Sequence, residues 1–247
     1  MNEETKAVVP DQETMRRMAT DAALTEDSAL ALLSRRDLPS DAIETMVRNV
    51  SLMKSRRVLK CIVAHPKTPR HVSLPRTRHL YTFELTELSL SPVVAADVKL
   101  AAEEVILTRL SNTSAGERLT LAKRSSKRIA AALLLDPDSR VMESALANFH
   151  MTEGSIVRAL QSPDATPALV HAICRHSQWS LRREVQIALL RNPHTPLARA
   201  LQYVRGLPAN VLGDLRGYFP PEMEEEVARE LERRKGNVAR GQGEPAD

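Results

Sequence analysis

The chain has 247 residues and a formal net charge of +4, with 43% hydrophobic and 27% charged residues, as in an ordinary soluble globular protein. Aromatic residues make up only 3%, which argues against a protein that stacks single-stranded bases on rings and against an enzyme with an aromatic-lined pocket. The 15 prolines outnumber the 8 glycines, which suits a chain with many helix starts, because proline is tolerated at the first helical position.

The N-terminal segment 1–20 begins with polar and acidic residues, and we expect it to be loose or a frayed helix. Its start lacks the pattern of a signal peptide, and the longest apolar run, 129–135, is too short to span a bilayer. These features predict a cytoplasmic protein without membrane contact. Cys61 and Cys174 lie far apart in apolar helical contexts and are predicted to be buried core residues.

Helix-forming stretches with apolar residues three and four apart follow one another along the chain, and no stretch alternates with a period of two. The sequence therefore predicts an all-α fold. The expected helices cover 26–35, 40–49, 54–64, 69–78, 94–110, 117–134, 138–148, 153–161, 166–176, 180–191, 196–205, 208–217 and 221–235. The last residues, 236–247, are predicted to form a disordered tail.

Two short motifs with paired prolines mark helix–helix corners: HPKTP at 65–69 and NPHTP at 192–196. A residue before proline is pushed out of the α region, so a helix should end at or before Asn192. Thr195 is expected to cap the next helix, with Pro196 at its first position. Each motif therefore predicts the end of one helix and the start of another.

The sequence repeats itself at two spacings. A long offset, which places Pro66 on Pro193, relates the two corners and their surroundings, roughly 37–111 and 164–235. A short step, which places Val141 on Val185, relates 141–160 to 185–204. Because the long offset equals about three steps of 42–44 residues, one period accounts for both similarities, and such a period is typical of HEAT or armadillo-type helical repeats.

The segments ICRHSQWSLRREVQIALLRNPHTPLARAL (173–201) and LLDPDSRVMESALANFHMT (134–152) resemble the leucine-rich repeat variant (LRV) and HEAT-like solenoids of bacterial proteins. The resemblance implies a right-handed α-solenoid of about five repeats of 42–44 residues, in a single domain over 21–235. It also implies a binding role rather than catalysis. Some relatives hold an iron–sulfur cluster on a cysteine cluster, which two isolated cysteines do not provide.

The densest basic segment, 117–130, contains Lys123, Arg124, Lys127 and Arg128. On one continuous helix these residues form i, i+4 pairs of like charge, which are mildly destabilising unless an acidic partner meets them. They are therefore candidate partner-binding residues, and a solvated helix face is the alternative interpretation.

Arg182 and Arg183 are further candidates, because the long offset places Arg56 on Arg183, and such arginines could form a row of basic side chains along stacked repeats. The alternative is that these arginines bond to neighbouring loops. Trp179, the single tryptophan, is also a candidate contact, as an aromatic residue is in HEAT-like DNA glycosylases. Turn packing is its alternative role, since Leu52 stands at the equivalent place.

No pattern of residues predicts catalysis. The seven histidines are scattered without metal-ligand spacing, and motifs of phosphate-binding loops, serine hydrolases and zinc proteases are missing. We therefore expect no enzyme activity, cofactor or metal. The predicted function is a non-enzymatic scaffold that binds a protein partner on its concave surface. The alternative is DNA binding through the basic stretch 117–205, with DNA repair as a rarer variant.

Overall fold

The computed structural model describes residues 11–215 and 217–241. Over those residues every regular element is a helix and none is a strand, so the all-α prediction is confirmed. The chain divides into two compact units, Met1–Thr113 and Ser114–Asp247. The boundary falls inside the stretch 21–235, which the sequence analysis assigned to a single domain.

The first unit contains eight α-helices among its described residues: α1 Gln12–Thr20, α2 Glu26–Leu33, α3 Ser40–Arg48, α4 Val50–Lys54, α5 Arg56–Ala64, α6 Arg70–Thr77, α7 Thr82–Leu90 and α8 Ala96–Arg109. The second contains nine, likewise counted over its described part: α9 Ala115–Arg124, α10 Lys127–Ala132, α11 Ser139–Leu146, α12 Glu153–Gln161, α13 Pro167–Arg175, α14 Arg183–Leu190, α15 Leu197–Gly206, α16 Ala209–Asp214 and α17 Pro221–Gly241. Short 3-10 helices cover Leu110–Asn112, Leu133–Leu135 and Trp179–Leu181.

Helix starts recur in groups of three along the chain. The first helices of the groups, α1, α5, α8, α11 and α14, begin at residues 12, 56, 96, 139 and 183. The second helices, α2, α6, α9, α12 and α15, begin at 26, 70, 115, 153 and 197. The third helices, α3, α7, α10, α13 and α16, begin at 40, 82, 127, 167 and 209. Equivalent starts are thus spaced roughly 40 residues apart, and α17, which begins at residue 221, takes the place of a sixth first helix.

The long offset that places Pro66 on Pro193 also extends further than the sequence comparison indicated. It carries the starts of α1, α2 and α3, at 12, 26 and 40, onto those of α11, α12 and α13, at 139, 153 and 167. It carries the starts of α5, α6 and α7 onto those of α14, α15 and α16 in the same way. The similarity therefore reaches back from 37 to residue 12 and from 164 to residue 139.

One packing rule holds at the junctions within each unit. The second helix of a group packs against the first helix of the next group: α2 on α5, α6 on α8, α9 on α11, α12 on α14 and α15 on α17. The packed faces are apolar, and equivalent positions are buried in both units, as Ile62 of α5 and Leu189 of α14 show. Burial of these faces supplies most of the stability of helices too short to persist alone in water.

Polar side chains at the ends of the first helices join these packed pairs. His65, Asn148 and Asn192, which we call the corner residues, each accept the backbone N–H two residues further on. Asn148 and Asn192 also bind a carbonyl in the last turn of the preceding second helix, where helix carbonyls lack partners within the helix, and His65 binds a carbonyl two residues beyond the end of α2. The distances are 2.9 Å from His65 Nε2 to Arg35 O, 2.7 Å from Asn148 Nδ2 to Ala122 O, and 3.0 Å from Asn192 Nδ2 to Leu160 O.

Arginines provide the same link at the two other junctions. Arg109 of α8 donates to the Leu80 carbonyl at 2.9 Å, just beyond the end of α6. Arg234 of α17 donates to the Val204 and Arg205 carbonyls of α15 at 2.8 Å. A side chain of each later first helix, or of one of the two residues that follow it, thus satisfies carbonyls of the group before it.

Three expectations about local structure are wrong: Thr195 as the N-cap of α15, Pro196 as its first helical residue, and one continuous helix over 117–134. Pro196 instead precedes α15, which begins at Leu197. Thr195 is not an N-cap of α15, because its hydroxyl donates to the Leu189 carbonyl at 2.6 Å and so closes the preceding helix. Thr68 does the same to Ile62 O at 2.6 Å. The expected helix 117–134 is broken at the buried pair Ser125 and Ser126, where the backbone is extended.

Both ends of the described chain are more ordered than the sequence analysis expected. Residues 12–20 form α1, which packs against α3 and buries Met15 in the core. At the other end α17 continues to Gly241 and so enters the expected tail 236–247. The last part of that tail, 242–247, lies outside the described residues.

Candidate functional site: a basic corner in the second unit

The corner between α11 and α12 presents an aromatic side chain to solvent. Phe149 is 94% exposed, a larger fraction than that of any other large hydrophobic side chain in the described ranges. His150 stands edge-on to it, with 5.6 Å between the ring centroids. The turn beneath them is fixed, since Met151 N–H donates to Asn148 O at 3.0 Å and His150 N–H donates to Asn148 Oδ1 at 2.7 Å.

On one side, this corner is attached to the basic segment that the sequence analysis singled out. Asn148 Nδ2 donates to Ala122 O at 2.7 Å and to Ser125 O at 3.2 Å. Lys123 and Arg124 lie between these two acceptors in the chain, so the hydrogen bonds hold them beside the corner. Both side chains are exposed, as are those of Lys127 and Arg128 in the first turn of α10.

Because α9 ends at Arg124 and α10 begins at Lys127, the expected i, i+4 pairs of like charge do not exist. The i, i+4 repulsion within one helix, which the sequence analysis used to argue for an acidic partner, is therefore absent. The basic side chains are instead distributed over the end of one helix and the start of the next.

On the other side, the corner is attached to the segment around the tryptophan. Trp179 is 5% exposed, and its indole Nε1 donates to Leu146 O at 2.8 Å, at the C-terminal end of α11. Trp179 is therefore a packing residue rather than a surface contact, which was its alternative role. Leu181, two residues further on, is 76% exposed and lies in a short 3-10 helix, although the sequence analysis placed it inside the expected helix 180–191.

Arg182 and Arg183 come next and are both exposed. We use the name corner surface for the exposed residues gathered around the α11–α12 corner: Lys123, Arg124, Lys127, Arg128, Phe149, His150, Leu181, Arg182 and Arg183. Two hydrogen-bonded links, through Asn148 and through Trp179, bring the two candidate segments of the sequence to one end of α11. No local pattern in the sequence indicates this proximity.

The cations of the corner surface differ from those of the first unit in their partners. In the first unit Arg56 bonds to Glu84 at 2.6 Å and lies over the Tyr81 ring at 3.2 Å. At its counterpart in the second unit, Arg183, the repeat carries Val211 in place of Glu84 and Pro208 in place of Tyr81. Within the described ranges no carboxylate lies within 4.0 Å of the charged groups of Lys123, Arg124, Lys127, Arg182 and Arg183.

The two carboxylates that follow the segment 123–128 in the chain are already engaged. Asp136 pairs with Arg118 at 2.7 Å, and Asp138 pairs with Arg140 at 2.8 Å. Hydrogen bonds from the Arg140 side chain and backbone lower the pKa of Asp138 to about 2. Between residues 117 and 205 there are 13 Lys or Arg against 7 Asp or Glu, so the excess of positive charge is not neutralised locally.

A groove runs between α9 and α11 to the corner surface. It has a volume of about 500 Å³ and is lined by Leu119, Lys123, Arg140, Glu143, Ser144 and Ala147. Comparable grooves occupy the same place between α6 and α8, α12 and α14, and α15 and α17. The groove is therefore a regular feature of the junctions, and the exposed phenylalanine beside it is what distinguishes this one.

Phe149 and His150 were missed by the sequence analysis, although a signal was present. When 141–160 is aligned with 185–204, Phe149 falls on Pro193, which in turn corresponds to Pro66. Phe149 thus stands where the other two corners carry proline. A phenylalanine at a position that needs only a rigid turn residue has no evident role in the turn. This departure from the repeat is the clue that identifies it.

His176 supports the buried side of the site and gives it a pH dependence. Its Nδ1 accepts the backbone N–H groups of Gln178 and Trp179 at 3.3 and 3.4 Å, and burial lowers its pKa below the ordinary 6.5. The unfolded chain therefore takes up this proton at a higher pH than the folded chain does. The stability that neutral His176 contributes is complete above about pH 6.5 and is lost as the pH falls from there to the folded pKa.

We expect the free energy of unfolding of the wild type to fall more between about pH 7 and about pH 5.5 than that of a His176→Asn variant. Asparagine is the matched replacement, because Asn148 and Asn192 accept an N–H two residues on in the same manner. Urea unfolding at a series of pH values measures the difference. Parallel pH profiles for the two proteins would show that His176 is not responsible.

Within residues 11–215 and 217–241, no group of three or more His, Cys, Asp or Glu side chains is arranged to hold a metal ion. Over the same residues, none of the helices has the length and apolar character needed to cross a bilayer. The corner surface offers an aromatic ring, an aliphatic side chain and cations, which are groups for recognition. Comparisons with protein-family models, with curated proteins and with solved structures find no match to this chain.

Proposed function

We propose that the chain is a right-handed α-solenoid of HEAT-like or LRV-type repeats with a non-enzymatic binding role. The recurrence of equivalent helix starts roughly every 40 residues supports this arrangement. It is also supported by the packing of each second helix on the next first helix within a unit. Stacked repeats of this kind present extended surfaces that bind partners.

We propose that the partner is a protein and that the corner surface contacts it. The observation that carries this proposal is Phe149, which is 94% exposed on a fixed turn. Beside it lie Lys123, Arg124 and Lys127, which have no carboxylate partner among the described residues. Aromatic residues, phenylalanine included, and arginine are enriched at protein–protein interfaces relative to the rest of the surface. Covering an apolar ring that is exposed to water is favourable, because it removes apolar surface from water.

Affinity capture from the native cell, followed by mass spectrometry, tests the proposal. The wild type and a Phe149→Ser variant serve as parallel baits, and both lysates are treated with nuclease. We expect at least one protein to be retained by the wild type and depleted on the variant. The serine variant should fold normally, because an exposed side chain at this corner packs against little. Equal recovery of every protein on both baits would contradict a role of the corner surface.

Nucleic-acid binding is the second candidate, favoured by the exposed Lys123, Arg124 and Lys127. Each phosphate neutralised on duplex DNA contributes about 0.9 to the slope of log affinity against log salt. We expect weak binding that fades near about 150 mM salt, as any basic surface shows. The second candidate would replace the first if tight binding survived that salt and lost about three units of slope when Lys123, Arg124, Lys127 and Arg128 were all changed to Gln.

A further inference from the structure

We propose that the corner surface binds an acidic peptide segment that carries one aromatic or large aliphatic side chain. This inference rests on the proposed function, since it specifies the chemistry of the protein partner. The exposed ring of Phe149 would receive the apolar side chain, and the surrounding cations would receive carboxylates on either side of it.

The turn that carries Phe149 is held in place by hydrogen bonds on both sides. The Asn148 side chain makes three hydrogen bonds, to Ala122 O, to Ser125 O and from His150 N–H. The bond from Trp179 Nε1 to Leu146 O holds the other side. A turn that is already fixed loses little backbone conformational entropy when a partner binds, which favours binding.

The charged part of the surface selects for carboxylates. Lys123, Arg124 and Lys127 lie on one side of the corner, and Arg182 and Arg183 follow the Trp179 link on the other. None of these five has a carboxylate within 4.0 Å among the described residues. An acidic peptide would neutralise them, and complementary charge speeds association and excludes basic competitors.

Other occupants fit the surface less well. Proteins that bind single-stranded nucleic acid stack successive bases on several rings, whereas this surface offers one exposed phenylalanine. A second copy of the chain could offer carboxylates from its Glu-rich helix α17, but two of those glutamates are already paired. There Glu226 already pairs with Arg229, and Glu230 pairs with both Arg233 and Arg234.

A phage-displayed library of random peptides, selected on the full chain, tests the proposal. The Phe149→Ser variant is used for counter-selection, so that only peptides that need the ring are kept. We expect the enriched peptides to share several Asp or Glu around one Phe, Tyr, Trp or Leu. Enrichment of neutral or basic peptides, or no enrichment over the variant, would overturn the proposal.

Binding of a synthetic copy of the most enriched peptide then measures how much each part of the surface contributes to the affinity. We expect Phe149→Ser to raise its Kd about 10- to 100-fold, and a Lys123→Gln/Arg124→Gln variant to raise Kd and weaken its salt dependence. Val50→Ser is the matched control, because Val50 is 71% exposed but belongs to the first unit. It should leave Kd unchanged, and an equal effect of Val50→Ser would overturn the assignment.

The outcomes separate this inference from the proposed function. A cellular partner that the Phe149→Ser variant still retains would refute the corner surface while leaving a protein-binding scaffold in place. Absence of both a cellular partner and an enriched peptide would refute both. A single-stranded DNA oligonucleotide that binds more tightly than the peptide, and requires Phe149, would replace the peptide with nucleic acid.

Discussion

Replacing Trp179 with alanine is expected to lower the free energy of unfolding by about 3–5 kcal/mol, the usual cost of removing a buried aromatic ring. The indole is 5% exposed, and its Nε1 donates to the Leu146 carbonyl at 2.8 Å. The alanine variant would leave a cavity and also leave an end carbonyl of α11 without its donor. Few single changes in the second unit remove both a large buried volume and a link between helices.

Urea unfolding followed by far-ultraviolet circular dichroism measures this loss, since the variant lacks the tryptophan signal. Trp179→Phe is the matched control, because it keeps most of the ring and removes only the N–H donor. We expect it to cost about 1 kcal/mol. A Trp179→Ala protein as stable as the wild type would show that the indole does not hold the corner.

The helices and their repetition could be predicted because their causes are local. Apolar spacing, caps and prolines act within a few positions of the chain, and the local pattern around Pro66 recurs around Pro193. Hence helix α13, Pro167–Arg175, lies within one residue of its predicted bounds, 166–176. The prolines at 65–69 and 192–196 also mark corners in the structure, as expected.

The predictions about local structure were wrong where a side chain can bind more than one backbone partner. Thr195 can cap the helix after it or bind a carbonyl of the helix before it, and the sequence does not decide between them. The structure shows the second, with 2.6 Å from Thr195 Oγ1 to Leu189 O. Ser125 and Ser126 break a stretch that periodicity alone continues. Both are buried with an extended backbone, and the Ser125 carbonyl accepts from Asn148 Nδ2 at 3.2 Å, a partner distant in sequence.

The candidate site was predicted in pieces but not as a whole. The basic side chains and Trp179 were recognised from residue type, yet their proximity depends on hydrogen bonds between residues 26 and 33 positions apart. No local pattern reports such contacts. The exposure of Leu181 could not be predicted either. Leu181 continues an apolar helical spacing in the sequence, but it lies in the 3-10 helix outside α14.

Replacing a corner residue is also expected to destabilise the protein strongly. Asn148→Ala is expected to lower the free energy of unfolding by about 2–3 kcal/mol, because it leaves two buried carbonyls and one N–H without partners. Asn192→Ala should cost about 1–2 kcal/mol, since Asn192 Nδ2 binds the single carbonyl of Leu160 at 3.0 Å. Urea unfolding of both variants, compared with an exposed Ala substitution on α12, measures these losses.

Variants of His65 test whether the hydrogen-bond pattern of the corner residues, rather than the residue type, stabilises the junction. Its Nδ1 accepts the Lys67 N–H at 3.2 Å, so Nε2 carries the proton and donates to Arg35 O at 2.9 Å. Asparagine offers the same acceptor and a donor, as Asn148 and Asn192 show at the equivalent place. We therefore expect His65→Asn to retain most of the stability that His65→Ala loses. If both His65 variants lost the same stability, ring packing rather than the shared hydrogen-bond pattern would hold this junction together.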